Sequence, residues 1–307
     1  MSTEFIIAAI VTVVGLTTPI LLAALGELVV EKAGVLNLGV EGMMLMGAIC
    51  GFGATVSTFN PWIGILGAAA GGALSSMLFA VLVLELNSNQ VATGLALTIF
   101  GTGLSSLMGL SYTGFIAPVF GSIFPASLAG DPYLKVIFGY SPLVYFAILM
   151  VPVVVWFLKS TRAGMILRAV GENDLSAHSI GYSVKGVRYA AIAFGGAMAG
   201  IGGAYFSMVI TPMWAEKMTA GRGWIALALV VFAGWRAGRL LVGAYFFGIL
   251  MALELYAKAA GFSFLPSQFW AAMPYLMTVI ALSVISMRDR TGGNAPACLG
   301  KPFLPST

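Results

Sequence analysis

Long uncharged runs constrain the fold of this chain more than any other feature of its sequence. Residues 5–26 form a run of 22 residues without a charge, and 42–84 form a run of 43. Roughly 20 apolar residues cross the hydrocarbon core of a bilayer, so the first run predicts one membrane span and the second predicts two. Hydrophobic residues make up 60% of the chain and charged residues 8%, which excludes a soluble domain, where about 25% are charged.

Later apolar runs predict the rest of the bundle. The break between the second and third spans falls at 57–61, where Asn60-Pro61 favours a turn. Two runs, 223–235 and 240–253, have 13 and 14 residues and predict tilted short helices or discontinuous half-helices. Full spans are predicted at 91–110, 141–158, 189–210 and 267–286. The predicted fold is an all-α, polytopic transmembrane helical bundle of about 8–10 spans, with 1–290 as the membrane domain and 291–307 as a cytosolic tail.

One stretch, 159–188, concentrates charge in an otherwise apolar chain. It holds five Lys or Arg residues and two acids, which predicts a loop in water. Lys and Arg collect on the cytoplasmic side of membrane proteins, so the loop is predicted to be cytosolic. Counted over the predicted connections, 11 Lys or Arg residues fall on that side and four on the other. The N-terminus is therefore predicted outside and the C-terminus in the cytoplasm.

Inside this loop the sequence predicts a two-turn helix over 174–180. Asn173 is a suitable N-cap, Asp174 suits the positive end of the helix dipole, and Gly181 stands where a C-terminal cap is expected. A capped helix in a long cytosolic loop indicates a docking element. The alternative is an ordinary solvated connector between two spans.

A polar hinge at 27–42 offers the first candidates for a polar path through the membrane. Asn37 is predicted to N-cap the second span, and Glu41 lies one turn inside that span. Ionisable groups this close to a bilayer are costly and indicate function by default. The alternative is simple helix capping at the cytosolic interface, with Glu41 in water.

The polar turn at 85–90 offers a second set of candidates. Asn89 and Gln90 precede an apolar run, and Thr93 follows one turn later. Amides and a hydroxyl entering a helix could line a path for a hydroxylated solute. The alternative is a polar turn whose groups are satisfied by water.

Motifs for chemistry on the chain itself are missing from the sequence. It has no Gly-rich phosphate loop ending in Gly-Lys-Ser or Gly-Lys-Thr, and it has no nucleophile elbow or zinc-binding His-Glu-x-x-His. The two cysteines and the single histidine give no disulfide framework and no metal site. We expect no enzyme, no cofactor, no metal and no nucleic-acid partner. Work against a gradient would draw its energy from an ion gradient or from another subunit.

The segment 27–47 resembles the signature of permeases from ATP-binding cassette (ABC) importers of the ribose, branched-chain amino acid and nucleoside group. Its form is most typical of permeases paired with nucleoside-binding lipoproteins of the basic-membrane-protein type. The matching residues are Glu31, Lys32, Gly34, Val35, Asn37, Leu38, Gly39, Glu41 and Gly42.

The charged stretch looks like the cytosolic coupling loop of the same family. Asp174 departs from the family pattern, which often has Pro there. The segments 89–94 and 195–204 fit as well, so the resemblance covers roughly 20–290. The matching residues of the loop are Leu167, Arg168, Ala169, Gly171, Glu172, Asn173, Ala177 and Gly181.

The resemblance implies a subunit rather than a complete machine. It implies an ATP-binding cassette ATPase that binds the ATP and docks on the coupling loop, a second and different permease chain, and an extracytoplasmic solute-binding protein or lipoprotein. The implied location is the bacterial inner or plasma membrane, within the lipid bilayer. The implied coupling residues are Arg168, Gly171, Glu172, Asn173, Ala177 and Gly181.

The implied cargo is a nucleoside or purine base, with a simple sugar as the second candidate and a branched-chain amino acid as the third. A self-sufficient secondary transporter or channel is the alternative from another class. It predicts acidic or His residues buried within the spans, and the acidic residues here are predicted at the span ends.

Overall fold

The computed structural model describes residues 3–131, 133–260 and 295–304, together with 269, 272–273, 276–280 and 283. Helices dominate these residues, and they include a 3-10 turn at Leu110–Tyr112 and a π turn at Phe206–Ile210. The α-helices are α1 (Thr3–Lys32), α2 (Val40–Thr58), α3 (Pro61–Leu84), α4 (Gln90–Gly109), α5 (Ala126–Ala129), α6 (Lys135–Phe138), α7 (Pro142–Ser160), α8 (Arg162–Glu172), α9 (Asp174–Ser179), α10 (Val184–Tyr205), α11 (Arg222–Phe232) and α12 (Ala237–Ala259).

Among the described residues, seven helices are long and apolar enough to cross a membrane. They are α1, α2, α3, α4, α7, α10 and α12, where α4 and α10 are extended by the 3-10 turn and the π turn. This confirms an all-α, polytopic membrane bundle. The predicted last span, 267–286, lies largely outside the described residues, and so do 291–294 and 305–307 of the predicted tail.

The core of the bundle forms where α2, α3 and α10 approach closely through small residues. A Cβ on Gly47 would lie 2.2 Å from the Cα of Gly200, and a Cβ on Gly72 would lie 2.1 Å from the carbonyl oxygen of Gly196. Helices in a membrane associate through van der Waals packing rather than through exclusion of water, so close backbone contact is their main source of adhesion. The Gly-rich segment 195–204 supplies that contact from α10.

The turn between α2 and α3 confirms the predicted break. The Asn60 side chain accepts a hydrogen bond from the Trp62 backbone N–H at 3.0 Å and N-caps α3. Pro61 takes the first helical position, where its missing N–H costs nothing.

The run 223–253 is organised differently from the prediction of two short helices. α11 is short, with 11 residues, but α12 has 23 residues and is long enough to span. The prediction ended the second run before Glu254, whereas α12 continues beyond it. Glu254 and Lys258 are four residues apart and form an ion pair of 2.7 Å, so each charge is satisfied on the helix surface.

The first helix also runs further than predicted. The predicted span ended at residue 26, and α1 continues to Lys32 through Glu27 and Glu31. The chain then turns back into the bundle. Gly39 lies against Leu97, seven residues or about 10 Å along α4. α2 therefore begins inside the bundle rather than at its end, and we call 33–39 the re-entrant segment.

Candidate functional site

Two helix starts meet inside the bundle at Glu41, and we call this contact the junction. One carboxylate oxygen of Glu41 accepts hydrogen bonds from the Thr219 hydroxyl at 2.6 Å and the Gly221 N–H at 2.8 Å. The other accepts from the Gly223 N–H at 2.6 Å. Gly223 lies in the first turn of α11, and Thr219 and Gly221 lie just before it. The free N–H groups and the positive dipole end of a helix start favour an anion. Glu41 is 7% exposed, so the reading that left it in water is wrong.

Glycines make this contact possible. Gly221 has φ of +80°, a left-handed conformation that residues with a Cβ rarely adopt. A Cβ on Gly223 would lie 2.6 Å from the Cα of Glu41. The backbone of α11 therefore approaches α2 more closely than any side chain would allow.

Asn37 holds the re-entrant segment rather than capping α2. The residue before α2 is Gly39, which makes no side-chain cap, so the predicted N-cap role is wrong. The side-chain oxygen of Asn37 accepts a hydrogen bond from the Gly39 N–H at 2.9 Å, and the side-chain NH2 group of Asn37 donates to the Glu27 carboxylate at 3.3 Å. Glu27 also accepts from the Asn37 backbone N–H at 3.3 Å. A buried carboxylate of α1 thus fixes the shape of the loop that leads to Glu41.

Gln90 bonds to the re-entrant segment, Thr93 bonds to the turn before α4, and Asn89 caps α4. The Gln90 side chain accepts from the Leu36 N–H at 2.8 Å, and the Thr93 hydroxyl lies 2.8 Å from that of Ser88. Asn89 is exposed and N-caps α4 by accepting from the Ala92 N–H at 3.0 Å. Among the five predicted path residues, Asn37, Glu41, Gln90 and Thr93 are buried.

The charged stretch is mostly helical, and its inner helix has the predicted caps. Asn173 accepts from the Ser176 N–H at 2.9 Å, and Gly181 has φ of +93° two residues after α9 ends. The prediction of a capped helix at 174–180 is confirmed by α9. The sequence reasoning missed α8, which Thr161 caps by accepting from the Gly164 N–H at 3.0 Å.

The candidate coupling residues surround the contact between α8, α9 and α1, which we call the platform. Gly171 lies on the end of α1, since a Cβ there would be 2.2 Å from the Lys32 carbonyl oxygen. Ala177 is buried, whereas Arg168 and Glu172 are exposed. The outer face of α9 presents Leu175, 50% exposed, and Ile180, 71% exposed, just beyond its end. An apolar face of this kind on a short rigid helix suits a partner protein.

Arg188 anchors the platform from within. It is fully buried; its guanidinium donates to the Asp174 carboxylate at 3.1 Å and to the Ala33 carbonyl oxygen at 3.2 Å. The prediction that the stretch 159–188 lies in water is therefore wrong for Arg188 and for Asp174. Arg188 joins α10, α9 and the re-entrant segment at one point. Sequence reasoning missed this role because nothing local in the sequence shows that two charges 14 residues apart form a pair.

An exposed ion pair at the same end of the bundle contrasts with this buried one. Lys185 and Glu85 lie 2.7 Å apart, and Tyr189 donates to the same carboxylate at 3.2 Å. The hydrogen bond from Lys185 lowers the pKa of the Glu85 carboxyl. This pair joins the end of α3 to the start of α10 in water.

Residues 295–304, which we call the strap, cover the platform and the re-entrant segment together. The Cys298 N–H donates to the Gly171 carbonyl oxygen at 2.9 Å, and the Gly300 N–H donates to that of Gly34 at 3.3 Å. Phe303 is buried in a small cluster with Val170, Ala177 and Val184. The strap therefore bonds to α8 and to the loop after α1, and it packs against α9.

Comparison with known proteins shows that the sequence of this chain is similar to those of transport proteins. The family described as "Branched-chain amino acid transport system / permease component" matches residues 9–282. A protein of Haloferax volcanii named as a glucose ABC transporter permease is 42% identical over 89% of this chain and 90% of its own length. The guanosine ABC transporter permease of Bacillus subtilis is 30% identical over 93% of each.

A structural comparison agrees on the fold. A solved chain of a metal-chelate type ABC transporter in an inward-facing conformation aligns with a TM-score of 0.51 at 14% identity. The alignment covers 90% of this chain and 85% of that one. At this identity the similarity concerns the fold alone.

Proposed function

We propose a function from the premise that this chain belongs to the branched-chain amino acid transport system permease family, matched over residues 9–282. It is the membrane-spanning permease of an ABC importer, and it carries a nucleoside, a purine base or a simple sugar inward across the plasma membrane. The relatives support this cargo, since one is named for guanosine and another for glucose. Guanosine and glucose share a hydroxylated sugar ring. Branched-chain amino acids are the weaker candidate.

ATP hydrolysis belongs to a separate subunit in this proposal. The observation that carries it is α9, a capped helix with exposed Leu175 and Ile180 on an anchored platform. An ATP-binding cassette subunit would dock there, with Arg168, Gly171, Glu172, Asn173, Ala177 and Gly181 forming or supporting the contact. A second permease chain and an extracytoplasmic solute-binding protein or lipoprotein would complete the importer. The N-terminus would be outside, and the strap would be cytoplasmic.

A contact route connects the platform to the junction. Arg188 ties Asp174 of α9 to Ala33, and the re-entrant segment runs from Ala33 to Gly39 beside Glu41. Movement of α9 by a closing ATPase pair would therefore displace the loop that positions Glu41. Rotation of α11 away from Glu41 would expose a carboxylate and free N–H groups, which are suitable partners for sugar hydroxyls. Asn37, Gln90 and Thr93 would support the same path, and Asn89 would only cap α4.

Co-purification tests the docking part of this proposal. Leu175→Glu with Ile180→Glu should abolish recovery of the ATPase subunit from detergent extracts, since both side chains are exposed and the fold should survive. Leu128→Glu with Ile137→Glu, exposed residues outside the platform, is the matched control and should retain the ATPase. Recovery of the ATPase with both variants would contradict docking on α9.

The secondary-transporter alternative gains one observation from the structure. The acidic residues are predicted at span ends, and Glu27 and Glu31 do lie in the last turns of α1 and Glu41 in the first turn of α2, but all three are buried. Buried acids within spans are what an ion-driven carrier requires. The two candidates, an importer permease and a secondary transporter, are distinguished by measuring uptake by the chain alone in proteoliposomes, with an imposed proton gradient and no ATPase. Solute accumulation there would replace the importer proposal.

A further inference from the structure

A basic cavity of about 730 Å³ opens beside the platform, between the ends of two membrane spans. The described wall includes five cations, and no carboxylate is among these lining residues. They come from the end of α1, the end of α7, α8 and the start of α12. The cations are Lys32, Lys159, Arg168, Arg236 and Arg239.

Four of these cations have no ion-pair partner among the residues that the structure describes. In this part of the chain, Lys159, Arg168, Arg236 and Arg239 form no ion pair within 4.0 Å. At this end of the bundle Lys185 and Arg188 are paired, whereas Arg162 and Lys301 form no ion pair among the described residues and do not line the cavity. Like charges collected around one cavity repel each other, so an anion in the cavity would lower the electrostatic energy of the folded chain.

We propose that this cavity binds the headgroup of an anionic phospholipid. Its place in the fold favours a lipid over a soluble anion, because α7 and α12 are span-length helices that end and begin at its rim. Val155 and Leu158 of α7 give it an apolar wall, which suits the first carbons of an acyl chain. Trp156, next to them and 62% exposed, is of the residue type that collects at the membrane surface.

The size and the opening of the cavity fit this occupant. A volume of about 730 Å³ far exceeds one phosphate group, and it lies within the usual range of about 300–1,000 Å³ for small-molecule pockets. A Cβ on Gly238 would meet nothing within 4 Å, so the rim at the start of α12 is open. Basic pockets between spans on the cytoplasmic side are suited to anionic headgroups.

Native mass spectrometry of the purified chain in detergent tests the site with phosphatidylglycerol as the probe and phosphatidylcholine as the uncharged comparison. The variant Arg236→Gln with Arg239→Gln removes two exposed cations of the wall. We expect phosphatidylglycerol binding to weaken about tenfold or more, following the attraction of each basic residue to an anionic lipid. Phosphatidylcholine binding should be unchanged.

The matched control is Arg162→Gln with Lys301→Gln, which removes the same charge from residues outside the cavity wall. It should alter phosphatidylglycerol binding less than about twofold. An equal loss in the control would overturn the site, as would equal binding of the two lipids by the unaltered chain.

Competition separates a lipid site from a site for a soluble anion. Glycerol 3-phosphate carries the phosphate without acyl chains, and at the concentration of the lipid it should displace nothing. Displacement would show a soluble-anion site and overturn the lipid assignment. Normal phosphatidylglycerol binding by Arg236→Gln/Arg239→Gln, combined with loss of the ATPase subunit, would also overturn it and indicate an acidic protein partner.

Discussion

The platform and the junction both bury a charge, and they satisfy it by opposite means. At the platform, Arg188 meets a full counter-charge, the carboxylate of Asp174 at 3.1 Å. At the junction, the described partners of Glu41 are one hydroxyl and two backbone N–H groups at the start of α11. An ion pair in the interior is lost only at high cost. Hydrogen bonds to a helix start can be exchanged for hydrogen bonds to a polar solute. The platform therefore suits a rigid connection, and the junction suits a contact that opens and closes.

The largest expected effect is the loss of the platform anchor. Arg188→Met leaves Asp174 without its partner and should destabilise the chain by about 3–5 kcal/mol. Thermal unfolding in detergent measures this. Lys185→Met, which breaks the exposed pair with Glu85 on the same helix, is the matched control and should unfold near the unaltered temperature. Equal shifts in the two variants would contradict the anchoring role of Arg188.

The second-largest effect is expected at the junction, where a substitution should reduce transport more than it reduces stability. Glu41→Ala removes the acceptor for Thr219, Gly221 and Gly223 and should cost about 2–3 kcal/mol, with a marked loss of solute uptake. The ATPase subunit should still co-purify, since the platform is untouched. Uptake into proteoliposomes containing the assembled importer is the measurement. Normal uptake would exclude Glu41 from the path, and loss of the ATPase would mean that the two regions are one structural unit.

A glycine substitution tests how closely the two helix starts must approach. Gly223→Ala places a methyl group 2.6 Å from the Cα of Glu41, and overpacking of this kind costs about 1–3 kcal/mol. Gly238→Ala is the control, because its Cβ would meet nothing within 4 Å. We expect reduced uptake and a lower unfolding temperature for the first variant alone. Full activity of Gly223→Ala would show that the junction tolerates separation.

The smallest effect is local to the platform. Asn173→Ala removes the N-cap of α9 and should cost about 1 kcal/mol, whereas Asn173→Ser keeps an acceptor and should cost less. Hydrogen exchange should accelerate at 174–179 in the alanine variant and remain slow at Gly221 and Gly223. Faster exchange at both places would show that the platform and the junction open together, and the comparison between them would need revision.

More of the platform than of the junction could be predicted from the sequence. The reason is that the interactions of the platform include contacts between residues that are close in the sequence. The caps of α9, Asn173 and Gly181, lie next to the helix they bound, so the local pattern predicts it. Asn60-Pro61 likewise predicts the start of α3. Arg188 was missed because its partners, Asp174 and Ala33, lie 14 and 155 residues away.

The junction depends on contacts that no local pattern contains. Glu41 binds groups 178–182 residues further along the chain, and the sequence offers no periodicity that connects them. The burial of Glu27 and Glu31 was missed for a similar reason. Both look like polar residues at a span end until the re-entrant segment and Trp235 supply their donors.

The strap has a consequence for how the protein is made. Residues 295–304 leave the ribosome after α1 to α12, yet they donate hydrogen bonds to Gly34 and Gly171 and place Phe303 against α9. Until those residues emerge, the carbonyl groups of Gly34 and Gly171 lack these donors and α9 lacks part of its packing. The surface proposed to receive the ATPase is therefore completed only after α1 to α12 have been synthesised. Binding of the ATPase subunit would then have to wait for synthesis of the strap, because a partly synthesised chain in the membrane lacks the complete docking surface.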